Sequence, residues 1–117
     1  MKENVVKDKS FAFAVRIVKL SKYLQQEKKE RVISKQILRS GTAIGALVRE
    51  AEHGESKADF IHKMNIALKE ANETLYWLDL LFATDYLEQA SFDSIRNDSE
   101  ELVKLLASIV KTTRNSI

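Results

Sequence analysis

Apolar residues along this chain recur three and four positions apart in four separate stretches, the spacing that lines one side of an α-helix. The first stretch predicts a helix over residues 9–26. At about 100° per residue, Phe11, Ala14, Val15 and Val18 share one stripe, and Phe13, Ile17, Leu20 and Leu24 share another. Together they span roughly 220°, more than a helix of a lone bundle needs, which predicts a second apolar contact for this element. A second helix is predicted over 34–53, with Ser34 as its N-cap and Gly54 as a left-handed closing residue. Its inner stripe is Ile37, Gly41, Ile44, Val48 and Ala51. Gly41 and Gly45 each cost about 1 kcal/mol against alanine inside a helix, so the pair marks a place where another backbone comes close.

A third helix is predicted over 57–84. Ser56 caps it, and Asp59 three residues later suits both the capping box and the helix dipole. Phe60, Met64, Ala67, Leu68, Ala71, Leu75, Leu78 and Phe82 form its inner stripe. Ile66, Trp77 and Leu80 project roughly 130–170° from the centre of that stripe, where large apolar groups signal a partner surface. Asp85 and Tyr86 turn the chain. The fourth helix, over 89–114, carries Phe92, Ile95, Leu102, Leu106, Ile109 and Val110 inward. Short connections join neighbours antiparallel, so the pattern predicts an all-α, up-down-up-down four-helix bundle as a single domain over 1–117.

Composition narrows the picture. There is no cysteine, which removes disulfides and thiolate metal sites. There is no proline, and long helices run without interruption. No apolar run approaches the ~20 residues that cross a bilayer. Residues 1–8 lack an apolar signal core and read as a short solvated lead-in to a cytoplasmic chain. The net charge of +2 conceals an imbalance. Residues 1–39 hold eleven Lys or Arg against four Asp or Glu, a net +7, and the remainder is at −5. Lys28, Lys29, Arg31, Lys35 and Arg39 cluster around the first turn and the start of the second helix, which makes them the candidate contacts to nucleic acid.

Chemistry is sparse by comparison. Glu50 with His53, and Asp59 with His62, have the acid-x-x-His spacing of carboxylate-bridged metal sites, but both histidines point away from the inner stripes. No metal site and no cofactor is expected. Nor is there a glycine-rich phosphate loop or a serine in a strained elbow, and no enzymatic role is expected.

The most distinctive residues are Ser40-Gly-Thr-x-Ile-Gly-Ala46, Glu50-Ala51, Ser56-Lys-x-Asp-Phe60, Ala67-Leu-Lys-Glu-Ala71 and Glu73-Thr-x-Tyr-Trp-Leu78. Through them, over roughly Phe11 to Leu106, the chain resembles the four-helix-bundle family first noticed in intervening sequences of bacterial 23S ribosomal RNA genes. Leu47 and Ala43 stand where the family pattern would carry asparagine and serine. The resemblance implies a homopentameric ring with no established enzymatic activity. The accessory proteins of diversity-generating retroelements, a related branch, use such a ring with a basic surface to bind nucleic acid and a reverse transcriptase. An RNA- or ribosome-associated role, or a nucleic-acid-associated protein partner, is what this similarity implies.

The residues point to self-association independently. A ring requires head-to-tail contacts between unlike surfaces. The expected contact sets Ile66, Trp77 and Leu80, flanked by Glu70 and Glu73, against Phe13, Ile17 and Leu20 of the next copy. Two functions stay open: a non-enzymatic ring that contacts RNA through its basic end, or a structural scaffold or protein-binding module whose charges serve docking alone.

Overall fold

The computed structural model describes residues 2–116; Met1 and Ile117, the ends of the expected 1–117 domain, lie outside them. Four helices follow one another, α1 (Lys2–Gln26), α2 (Ile33–Glu52), α3 (Lys57–Ala83) and α4 (Gln89–Asn115). Linkers of six, four and five residues are too short to cross the length of such helices, so successive helices run antiparallel. Each helix packs on two neighbours, α4 closing back onto α1, in a rod of 49 × 21 × 19 Å. This is the all-α four-helix bundle that the periodicity predicts.

The inner stripes of α2 and α4 are buried as expected, from Ile37 to Ala51 and from Phe92 to Val110. In α3 the buried line is Met64, Ala67, Ala71, Thr74, Leu78 and Leu81, with Phe60, Leu68 and Phe82 packed at its edge. Phe82 stacks on Phe92 of α4, ring centroids 4.2 Å apart. Thr74 escaped the apolar pattern because it is polar. Its hydroxyl and that of Ser40 are both buried and share a hydrogen bond of 2.9 Å between α2 and α3.

Four expectations are corrected. Residues 2–8 are not a solvated lead-in but the first turns of α1: Val6 is fully buried in the core, and Lys7 pairs with Glu52. Ser34 does not cap α2, which starts one residue earlier. Gly54 is not left-handed; among the described residues only Lys29 (φ 56°) and Asp85 (φ 67°) take positive φ. Glycine at 54 answers a close approach instead, since a Cβ there would lie 2.9 Å from Asp59 Oδ2 and 3.1 Å from the Ala51 carbonyl. Ser56 does cap α3, its Oγ accepting from the Asp59 amide at 3.1 Å.

The fourth correction concerns α1. Phe13, Ile17 and Leu24 are the core stripe, and Leu20 packs against that core. Phe13 and Ile17 are therefore closed to a neighbouring molecule. The other stripe faces outward, with Phe11 55% exposed and Val15 and Val18 also exposed. Two stripes of similar composition left their assignment to packing. Gly41 decides it: a Cβ there would meet Ile17 Cγ1 at 2.7 Å, so α1 seats its Ile17 side directly on the bare α2 backbone. Gly45 makes only an ordinary approach, 3.4 Å from the Ser10 carbonyl.

Candidate functional site: a basic turn and an apolar flank

The site grows out of the six-residue link between α1 and α2. This segment carries Glu27, Lys28, Lys29, Glu30 and Arg31, which as sequence is only weakly basic. Folding separates its charges. Glu30 turns inward, where its Oε2 accepts from the Val32 and Ile33 amides at 3.1 and 3.0 Å, and Oε1 from the Ser34 amide at 2.7 Å. One carboxylate thus satisfies three of the free N–H groups that open α2, and a negative charge there also suits the helix dipole. Burial pushes the Glu30 carboxyl up, but these three amides outweigh it and hold the group below its ordinary value. Ser34, the expected cap, is buried and donates from its hydroxyl to the Glu30 carbonyl at 2.9 Å.

With Glu30 facing the helix end, the outer surface of the turn carries Lys28, Lys29 and Arg31, with Lys35 in the first turn of α2, against the single exposed acid Glu27; all four cations are exposed. None of these four makes an ion pair among the described residues. Lys28 Nζ stands 6.0 Å from the centroid of the Tyr23 ring. Lys29 sits in the left-handed region, a conformation that costs a non-glycine residue about 1–2 kcal/mol.

Arg39 belongs to a different arrangement. Its guanidinium donates to Glu70 at 3.1 Å and to Glu73, both on α3. Glu73 also accepts from the Trp77 indole N–H at 3.0 Å. That indole bond, more than the Arg39 charge, holds the Glu73 carboxyl below its ordinary value. Thus the five expected nucleic-acid contacts split into a free group of four and an arginine engaged inside the molecule. Other cations of the N-terminal third are engaged likewise, Lys7 with Glu52, Lys9 with Glu101 at 2.9 Å and Arg16 with Asp98 at 2.6 Å. Part of the charge asymmetry is thus answered between helices of one chain.

The expected interface on α3 is rearranged in the same way. Trp77 is half-buried at the core edge and contacts the Tyr76 ring edge-on at 5.0 Å. Ile66 and Leu80 are half-buried, and Glu70 and Glu73 hold Arg39. Tyr76, 58% exposed, is the open aromatic of this helix. Sequence reasoning passed over it because it stands beside the more conspicuous tryptophan. On α1 the open apolar group is Phe11 with Val15 and Val18, and Arg49 of α2 lies over the Phe11 ring at 5.3 Å.

No metal-ligand cluster of three His, Cys, Asp or Glu residues occurs among the described residues. His53 and His62 are exposed, and Glu50 pairs with Lys63 at 3.1 Å. None of the described helices is long and apolar enough to cross a membrane.

The chain is similar to a protein of unknown function from the S23 ribosomal protein family of Bacteroides thetaiotaomicron VPI-5482, whose crystal structure was determined at 1.70 Å. The two share 66% identity over 95% of this chain and 99% of that one, with a TM-score of 0.94. Comparison with curated proteins returns no match. The model of the 23S rRNA-intervening sequence protein matches residues 2–108, and the chain belongs to that family.

Proposed function

We propose that this protein is a non-enzymatic helical scaffold that associates with copies of itself and contacts RNA through the turn between α1 and α2. The carrying observation is the fate of the charges. Lys7, Lys9, Arg16 and Arg39 pair with acids of other helices, while Lys28, Lys29, Arg31 and Lys35, like Lys19 and Lys22 of α1, make no ion pair among the described residues, and the first four gather at one end. Phosphate attraction needs such a group and supplies most of sequence-independent affinity. Four cations on one subunit bind weakly, and repetition around an assembly multiplies them by avidity. The S23 ribosomal label of the Bacteroides relative and the family description both fit an RNA setting.

Self-association is supported by the outward Phe11, Val15 and Val18 and by Tyr76, apolar surface that the bundle itself leaves uncovered. A head-to-tail ring, pentameric by family resemblance, would set the α1 flank of one copy against the α3 flank of the next. The second reading, a scaffold without RNA contact, draws support from the extent of internal ion pairing.

Salt separates the two. On the first reading, affinity for RNA falls steeply from low to moderate salt with the oligomer intact. Replacing Lys28, Lys29 and Arg31 together by glutamine lowers that affinity at least about tenfold. No RNA binding at low salt, together with an assembly that salt splits, leaves the scaffold reading. Light scattering on Phe11→Glu checks assembly; an unchanged mass removes the α1 flank from it.

A further inference from the structure

We propose that the groove between α1 and α4, beside the basic turn, receives unpaired bases, so that this end of the molecule selects single-stranded over duplex RNA. The inference rests on the RNA-contact reading above and specifies its ligand.

The α1–α4 seam is the sparsest of the four helix pairings. It is bolted by Lys9 to Glu101, and by Arg16 to Asp98 and to Ser94 Oγ at 3.0 Å. Past Arg16, towards the turn, the helices part around a groove of about 530 Å³. That volume lies within the roughly 300–1,000 Å³ typical of ligand sites. Its walls are Lys19, Leu20 and Tyr23 of α1, Tyr86 and Leu87 of the α3–α4 link, and Ile95 of α4.

These residue types suit one kind of ligand. Two tyrosine rings and three aliphatic side chains favour a flat group with apolar faces. Lys19 within the lining favours an anion attached to that group. Lys28 over the Tyr23 ring joins the groove to the cations Lys29 and Arg31 of the turn, where Glu27 is the one exposed acid. A nucleobase on a phosphate backbone has this combination, and base stacking on aromatic side chains with cations tracking the backbone is how single strands are held. Duplex RNA keeps its base faces stacked inside and offers the turn phosphates only. Glu88, also in the lining, repels phosphate, which keeps the backbone on the α1 side with Arg16 and Lys19, and it offers an acceptor to an exocyclic amino group.

The test compares fluorescence anisotropy of a short labelled single-stranded RNA with that of the same sequence annealed into a duplex, using the full chain. Tyr23 is 43% exposed, so Tyr23→Ala should leave the fold intact, as melting temperature checks. Tyr86 packs against the core, and Tyr86→Leu keeps bulk while removing the aromatic face. The expected result is tighter binding of the single strand, lost about tenfold or more in Tyr23→Ala and Tyr86→Leu, retained in Tyr23→Phe, with duplex binding unmoved. Equal affinity for both RNAs, or indifference to Tyr23→Ala while the lysine variants still weaken binding, overturns the groove and leaves RNA contact standing. Failure of the unaltered protein to bind either RNA at low salt overturns RNA contact itself, and the groove falls with it.

Discussion

Helix α2 packs against α1 on one side and α3 on the other, and the two hairpins it forms are built on different terms. Against α3, polar groups meet polar groups: Ser40 faces Thr74, Arg39 holds Glu70 and Glu73, and Glu50 holds Lys63. Against α1, contact is chiefly by shape, with Ile17 seated on Gly41 and one ion pair, Lys7 to Glu52, at the end away from the turn, while inward polar groups near the turn are answered by backbone. Glu30 takes the α2 amides, and Ser21 donates to the Ser34 carbonyl at 3.3 Å. Because backbone rather than side chains satisfies the turn end of that hairpin, the lysines there and its outer apolar stripe are left over. The closed hairpin provides rigidity, and the surface open to partners gathers on the other one.

The largest expected effect comes from disturbing the shape contact. In Gly41→Leu the new Cβ would fall 2.7–3.2 Å from three atoms of Ile17, a residue with no exposed surface into which to swing. Overpacking of this kind costs about 1–3 kcal/mol, even with a propensity gain of ~1 kcal/mol over glycine. The melting temperature should drop by roughly 5–15 °C. Gly45→Ala places its Cβ at ordinary distance from α1 and should be neutral or stabilising by up to about 1 kcal/mol. Equal tolerance of both changes in thermal melts would mean that α1 does not rest on Gly41.

Next in size is the backbone-satisfied turn. Glu30→Gln removes the charge from three hydrogen bonds and should cost about 1–2 kcal/mol at neutral pH. The sign with pH follows from a carboxyl held below its ordinary value of 4.5. Its contribution is complete above that value and is lost as pH falls through the lower folded value. Denaturant unfolding of both proteins should therefore show a gap at pH 7 that closes as the solution is made more acidic than the ordinary carboxylate range. A gap that widens on acidification would contradict the capping role.

These cases show what the pattern along the chain could and could not reveal. Periodicity placed all four helices, because one buried side leaves a mark every three or four residues. It also marked Gly41 as a close approach and Ser56 as a cap, features whose cause is local. It could not choose between the two stripes of α1, since Phe11-Val15-Val18 and Phe13-Ile17-Leu24 are equally apolar and only the contact at Gly41 separates them. It counted Glu30 as one more surface charge, because its inward turn depends on the path of the link. Tyr23 and Tyr86, 63 residues apart, share a groove through closure of α4 onto α1, which no local spacing records.

The finest distinction lies between Lys35 and Arg39, which stand one helical turn apart on the same helix and look equivalent as sequence. Arg39 is clamped by two acids of α3, yet its side chain remains 52% exposed, so the clamp contributes only about 0.2–1 kcal/mol. Arg39→Gln should lower stability by that amount and change RNA affinity at physiological salt less than Lys35→Gln does, because Glu70 and Glu73 hold the Arg39 guanidinium away from phosphate and a screening length of ~8 Å limits what its loss does at the turn. Lys35→Gln should do the reverse. It should leave melting unaltered, weaken RNA binding and reduce the slope of log affinity against log salt by about 0.7–0.9. Titrations of both variants over a salt series measure the two quantities together. If the two substitutions reduce the slope equally, the α3 acids do not withdraw Arg39 from the surface, and the division of the basic residues into engaged and free groups fails at its boundary.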